Sequence, residues 1–297
     1  MRLARIGLFA LATLLAPRLE AQRPLKVFVS VDMEGISGIG TGAMTNANGK
    51  DYQLGRRLMT DEVNAVVAAI FQRSATAQVL VNDSHGDMQN LLHTELDPRV
   101  QYIQGAVKPV GMVAGLDSSF DAVIFLGYHA RAGTANGFLA HTGTGSVKGL
   151  WINGMEVGEG ELNALYAGAF GVPVILAAGD SLAVEQIAKA TGAEVVTTKY
   201  AVTPQSARLI HPQVVRERLA AATGRALGRI DTPAAKPMRL TTNSVRVRLQ
   251  LADVTTPQIL EAIPGVKQID GYTVEFNAPS MAAAYKLIRL MYRFVTV

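Results

Sequence analysis

Apolar residues fall along this chain in short, largely apolar runs, each closed by a small cluster of polar residues and glycine. Residues 25–31 form such a run and end at Asp32. Residues 78–81 lead into Asn82-Asp83-Ser84-His85, residues 122–126 into Gly127-Tyr128-His129, and residues 172–177 towards Gly179-Asp180. Continuous rather than alternating apolar runs predict strands covered on both faces. Between the first two, residues 51–73 place Leu54, Leu58, Val63, Val66, Val67 and Ile70 at helical spacing. Further helices are expected from about Glu159 through Leu162, Leu165 and Tyr166, and over 182–191 with Ser181 as N-cap. Strands alternating with helices predict an α/β fold with a largely parallel sheet flanked by helices.

The pattern changes near residue 231. Asp231-Thr232-Pro233-Ala234-Ala235-Lys236-Pro237 has linker composition. Beyond it, 239–251 alternates, with Val245, Val247, Leu249 and Leu251 on one face, and predicts a long strand. A helical turn at 259–263, a strand at 273–276 and a helix at 280–292 follow. The expected organisation is a leader over 1–21, an α/β domain over 22–232, and a smaller C-terminal α/β subdomain over 238–297. That subdomain is a candidate oligomer interface.

The leader reads as a signal peptide. Arg2 and Arg5 precede an eleven-residue, mostly apolar run over 6–16, shorter than the roughly 20 residues of a membrane span. Ala21 suits the position before cleavage. The mature chain is then expected to be exported, periplasmic or secreted. The formal charge of +4 includes Arg2, Arg5 and Arg18 against Glu20 in this leader, so the remainder stands at +2. No basic cluster suggests a nucleic-acid partner.

Cysteine is absent, which excludes disulfides, thiolate ligands and a cysteine nucleophile. Any metal site must therefore use His, Asp and Glu. In open α/β sheets, ligands bind beyond the carboxyl ends of the strands. Asp32, His85 and His129 all stand at such ends, and imidazole with carboxylate is a ligand set for zinc and similar divalent ions. Glu34 lies two residues past Asp32, and Gly35 and Gly38 permit a turn beyond it. Taken alone, Asp32 also reads as a helix cap and Glu34 as a solvated acid. Asp83 can orient a neighbouring ligand or simply form a turn. His141 sits in the glycine-rich Leu139-Ala140-His141-Thr142-Gly143 loop, either exposed or as a base or hydrogen-bond donor in catalysis. Spacing does not separate Glu159 from Glu161, since either is also favoured in the first turn of a helix. His93 and His211 are assigned no role.

The segment Ser30-Val31-Asp32-Met33-Glu34-Gly35-Ile36-Ser37-Gly38 resembles the opening motif of the D-aminopeptidase family of dinuclear zinc metallopeptidases. Asn82-Asp83-Ser84-His85, Val107-Lys108-Pro109, Leu126-Gly127-Tyr128-His129-Ala130-Arg131, Ile152-Asn153-Gly154, Val157-Gly158-Glu159, Leu162-Asn163-Ala164 and Ala178-Gly179-Asp180 follow in the family's order. The resemblance is strong over about 26–180 and looser beyond. It implies two zinc ions held by Asp32, Glu34, His85, His129 and Glu159, with Asp32 bridging and His141 as the catalytic histidine. It further implies hydrolysis of short peptides bearing an N-terminal D-residue, and a self-compartmentalising ring, a decamer in that family. Two other readings stand beside it. One is a dinuclear amidase or phosphoesterase; the other is an exported solute-binding protein without chemistry.

Overall fold

The computed structural model of the protein describes residues 23–242 and 244–295, so the proposed leader lies outside the described residues. The elements in chain order are β1 (Lys26–Val31), α1 (Tyr52–Arg73), β2 (Gln78–Asp83), β3 (Gln101–Ile103), β4 (Ala122–Tyr128), β5 (Val147–Ile152) and β6 (Met155–Glu156). Then follow α2 (Glu159–Ala169), β7 (Val174–Asp180), α3 (Ser181–Thr191), β8 (Glu194–Thr203), β9 (Ser206–Leu209) and α4 (Pro212–Leu227). The chain closes with β10 (Val245–Leu251), α5 (Thr255–Leu260), β11 (Lys267–Gln268), β12 (Thr273–Ala278) and α6 (Met281–Met291).

Seven strands form one sheet in the order β3-β2-β1-β4-β7-β8-β9, parallel except for β9, which runs antiparallel to β8. Every residue of β4 and β7 is buried, which explains their unbroken apolar runs. Odd residues of β1 (Val27, Val29, Val31) pack with α1 and α4 in one core. Phe28 faces the other way with Val123 and Phe125, towards α2, α6 and a second sheet. That second sheet is antiparallel, in the order β11-β12-β10-β5-β6. Its β10 buries alternate residues, as the sequence pattern predicts.

Several boundaries differ from the sequence-based expectation, each for a physical reason. The parallel strands run two or three residues further than the apolar runs, because Asn82, Asp83, Tyr128 and Asp180 are polar residues buried in the ladder with partners. The strand expected from residue 239 begins only at Val245. Before it, Met238 crosses so close to Gly168 of α2 that a Cβ there would stand 1.7 Å from the Met238 carbonyl oxygen, and a Thr242-to-Ser244 hydrogen bond turns the chain. Asp180, not Ser181, caps α3: its carboxylate accepts from the Leu182 and Ala183 amides. The polar strands β8 and β9 and helix α4 were not expected. The C-terminal segment is also not a sheet of its own, since β10 pairs with β5 from the middle of the chain.

The chain order places β1 between β2 and β4, so the sheet is built outward in two directions from β1. The crevice beyond the carboxyl ends of β1 and β4 is therefore a topological switch point, where open α/β sheets hold their ligands. Its floor is a buried chain of hydrogen bonds. Tyr285 of α6 donates to Asn163 Oδ1 (2.6 Å), Asn163 Nδ2 donates to Tyr128 Oη (2.9 Å), and Tyr128 meets Ser30 Oγ at 2.8 Å.

Candidate metal centre

Six of the singled-out side chains converge in this crevice. Asp32, Glu34 and His85 form one group, and His129, His141 and Glu159 another; within each, one donor atom per residue lies within 4.8 Å of the others. Asp32 follows β1 directly, His85 follows β2 by two residues, and His129 follows β4 directly. Glu159 opens α2, where the helix dipole favours a carboxylate, and its Oε1 accepts from the Gly143 amide.

The close fit of β1 against β4 sets the positions. The Asp32 amide donates to Leu126 O (2.8 Å) and the Gly35 amide to Gly127 O (2.7 Å). Gly127 has φ +70°, and a Cβ on it would stand 2.1 Å from the Asp32 carbonyl oxygen. Only glycine satisfies both conditions.

Asp32 stands between the two groups. Its Oδ1 is 3.2 Å from His85 Nδ1, and its Oδ2 is 3.4 Å from His129 Nε2. Glu34 Oε2 is 3.0 Å from His85 Nδ1, and Glu159 Oε2 is 3.4 Å from His129 Nε2. The His129 and His141 rings stack at 3.9 Å between centroids, 14° from parallel. His141 Nε2 lies 3.7 Å from Glu159 Oε1.

Each imidazole is oriented in the same way. His85 Nε2 meets Thr45 O (2.8 Å), His129 Nδ1 meets Ala130 O (3.0 Å), and His141 Nδ1 meets Leu139 O (2.9 Å). A carbonyl only accepts, so these nitrogens carry the hydrogen, and the opposite nitrogen of each ring, facing the carboxylates, is the one left for a metal to take. Backbone carbonyls thus select the tautomer that a metal ligand needs.

Charge in the cluster is tightly balanced. Burial and the neighbouring Glu34 raise Asp32 to about 7. Burial also opposes ionisation of Glu34, but the adjacent His85 outweighs it and holds the carboxyl well below its usual range. Glu159 is likewise buried, yet His129 brings it down to about 2. Burial disfavours the charged forms of His85 and His129, and the carboxylates facing them reverse this and raise both well above the ordinary value. His141 moves the other way: burial and the stacked His129 hold it low.

The residues fit divalent metal on their own evidence. Asp32 Oδ2, Glu34 Oε2 and His129 Nε2 are buried polar atoms with no hydrogen-bond partner, and all three point into the cluster. Such atoms are costly to leave unpaired. Three carboxylates and three imidazoles, with no thiolate in the chain, form a donor set for zinc or another borderline ion.

Geometry also separates what spacing left open. Glu161 is turned away from the cluster, accepting from the Gly158 amide and lying 3.9 Å from Arg131. Asp83 does not touch the His85 ring. Its carboxylate accepts from the Asn90 and Leu91 amides and from Asn90 Nδ2, which in turn donates to His85 O, so it shapes the loop carrying that histidine. His93 stacks on Tyr102, and His211 caps α4. Sequence reasoning missed Thr198 and Lys199 of β8, both fully buried against the turn that carries Glu34. The run of β-branched residues over 195–198 was the available signal.

The chain is similar to known proteins over most of its length. The chain is 36% identical over 272 residues to a D-aminopeptidase of Bacillus subtilis (strain 168), covering 90% of this chain and 96% of that protein. A solved structure described as the Zn-dependent D-aminopeptidase DppA from Bacillus subtilis, a self-compartmentalizing protease, superposes with a TM-score of 0.87 at 34% identity. The overlap covers 91% of this chain and 98% of that one. These relatives are peptidases, which leaves the phosphoesterase and solute-binding readings without support. Residues 25–290 match the D-aminopeptidase family, and with the ordered motifs and the converging carboxylates and imidazoles this chain belongs to it.

Proposed function

We propose that the protein is a dinuclear zinc aminopeptidase that hydrolyses short peptides with an N-terminal D-amino acid, of the D-Ala type. The observation that carries this reading is the pair of three-residue groups joined by Asp32 at the switch point. Asp32, Glu34 and His85 would hold one ion, and Asp32, His129 and Glu159 the other. Two such ions would acidify a water and polarise the scissile carbonyl.

The chain's own residues supply the rest. His141 is more exposed than His129, with side-chain exposures of 27% and 1%, so it meets substrate first. Its Nδ1–H is fixed on Leu139 O and its low pKa keeps Nε2 free near neutrality. Nε2 is therefore placed to take a proton from the attacking water and return it to the departing amine.

The likeness to a self-compartmentalizing protease supports assembly into a ring, and a decamer is the form we propose. The segment 238–297 is the proposed interface. It exposes Val254, Ile259, Ile269, Tyr272, Leu290 and Phe294, each close to half accessible. Export to the periplasm or medium rests on the leader, and cell-wall peptides rich in D-Ala would then be within reach.

The test is zinc content together with hydrolysis of D-Ala dipeptide amides by the purified mature chain. About two zinc ions per subunit are expected. His129→Ala should lose metal and activity together, whereas His141→Ala should keep its metal and lose turnover by about 10²–10⁴-fold. A His129→Ala protein with full zinc and full activity would sink the assignment.

A further inference from the structure

The turn that carries Glu34 is held from behind by two consecutive residues of β8. Thr198 Oγ1 lies 2.5 Å from the Gly35 carbonyl oxygen and 3.0 Å from that of Gly179. Lys199 Nζ donates to the carbonyl of Glu34 itself and, at 2.7 Å, to that of Ile39. Both side chains have no solvent exposure, so water cannot replace either donor. Buried carbonyls require partners, and these two residues supply them at the peptide units that set the direction of the Glu34 side chain.

The same strand reaches the other half of the cluster. Lys199 Nζ sits 4.9 Å from the centre of the Phe138 ring, three residues before His141. Pro204, in the turn between β8 and β9, accepts from the Leu139 amide at 2.9 Å. The hairpin thus braces the Glu34 turn and the His141 loop at once.

A lysine is a costly choice for such a place. Among the described residues it forms no ion pair within 4.0 Å, and a buried ammonium is expensive compared with an apolar side chain of similar volume. Stability of the bare fold does not account for it; the geometry of the turn does. Resting on the metal-centre reading above, we infer that Lys199 is a positioning residue that fixes the Glu34 carboxylate in the metal cradle, with Thr198 in support.

The test compares wild type, Lys199→Met and Thr198→Val in the full chain. Zinc affinity is read by competition with a chromogenic chelator, stability of the zinc-free protein by urea unfolding, and kcat and KM with a D-Ala dipeptide amide. Lys199→Met should stay folded without zinc, because sparing the chain a buried ammonium offsets the loss of the hydrogen bonds to the Glu34 and Ile39 carbonyls. Its affinity for one of two zinc ions should fall by about 10–100-fold. Its kcat should fall while KM stays within about threefold, because the substrate contacts are intact. Thr198→Val should shift zinc affinity in the same direction by a smaller factor. Wild-type zinc affinity in a folded Lys199→Met protein overturns the inference. Should Lys199→Met fail to fold, Thr198→Val decides: weakened zinc binding supports the inference and unchanged binding overturns it. A wild-type protein that binds no zinc would instead remove the metal-centre reading on which the inference rests.

Discussion

The two sheets of this protein treat their polar residues in opposite ways. In the parallel sheet, β4 and β7 are buried from end to end, so charged groups collect beyond the strand ends, where three strands deliver Asp32, His85 and His129. In the antiparallel sheet, β10 sends Val245, Val247, Leu249 and Leu251 inward and Arg246 and Arg248 outward, and no metal-type cluster forms on it among the described residues. A sheet covered on both faces concentrates its chemistry at one edge, whereas a sheet with one wet face disperses its charge along the strand.

This contrast predicts that the two regions fail differently. Glu159→Gln, at the parallel edge, removes a proposed ligand worth several kcal/mol of charge stabilisation. It should lower kcat by about 10³-fold and zinc content with it, in a protein that urea unfolding still shows to be folded. Phe276→Ala, in the core of the second sheet with 2% exposure, should do the reverse. It should cost about 3–5 kcal/mol in urea unfolding and leave zinc content per folded subunit unchanged. Equal losses of stability and zinc in both variants would erase the distinction.

A pH measurement sharpens it. Lys108 is buried beneath the strand ends, donating to Asn82 Oδ1 and to the Asp83 carbonyl. Burial brings its ammonium from the ordinary 10.5 down to about 8, against the pull of Asp83. Below pH 8 the group is charged in both folded and unfolded chains, and its burial cost is felt in full. Between 8 and 10.5 the unfolded chain holds the proton and the folded one has released it, so this group makes stability rise with pH across that window. The rise is at most about 1.4 kcal/mol per pH unit. Lys108→Met should be flat relative to wild type below pH 8 and lose ground above it. The smallest effect is expected on the wet face of β10. Arg248 is half exposed and pairs with Glu275 at 2.6 Å. Arg248→Ala should shift urea stability by less than about 1 kcal/mol and leave turnover untouched.

Much of the centre was legible before any coordinates. The apolar runs of β1, β2 and β4 announced strands, and Asp32, His85 and His129, in the polar clusters that close those runs, are among the residues that converge. Glu34, Glu159 and His141 were legible only through the family motifs, because nothing in local spacing distinguishes Glu159 from Glu161. What separates them is the β4-to-α2 geometry that turns one carboxylate inward and the other onto the Gly158 amide. The β8–β9 hairpin was not legible, because its polar, β-branched sequence lacks the apolar run of its neighbours. Its Lys199 and Thr198 are buried by tertiary contacts that span more than 150 positions of chain. The same reason hid the union of β5 with β10.

The hydrogen-bonded chain from Tyr285 through Asn163 and Tyr128 to Ser30 makes the last helix indispensable to the crevice whose floor it helps to form. Clipping the polypeptide ahead of α6 would strand the Asn163 amide and unsettle a tyrosine wedged beneath Asp32. The tail is therefore a keystone rather than an appendage, and tags or fusions belong beyond Val295 rather than in its place.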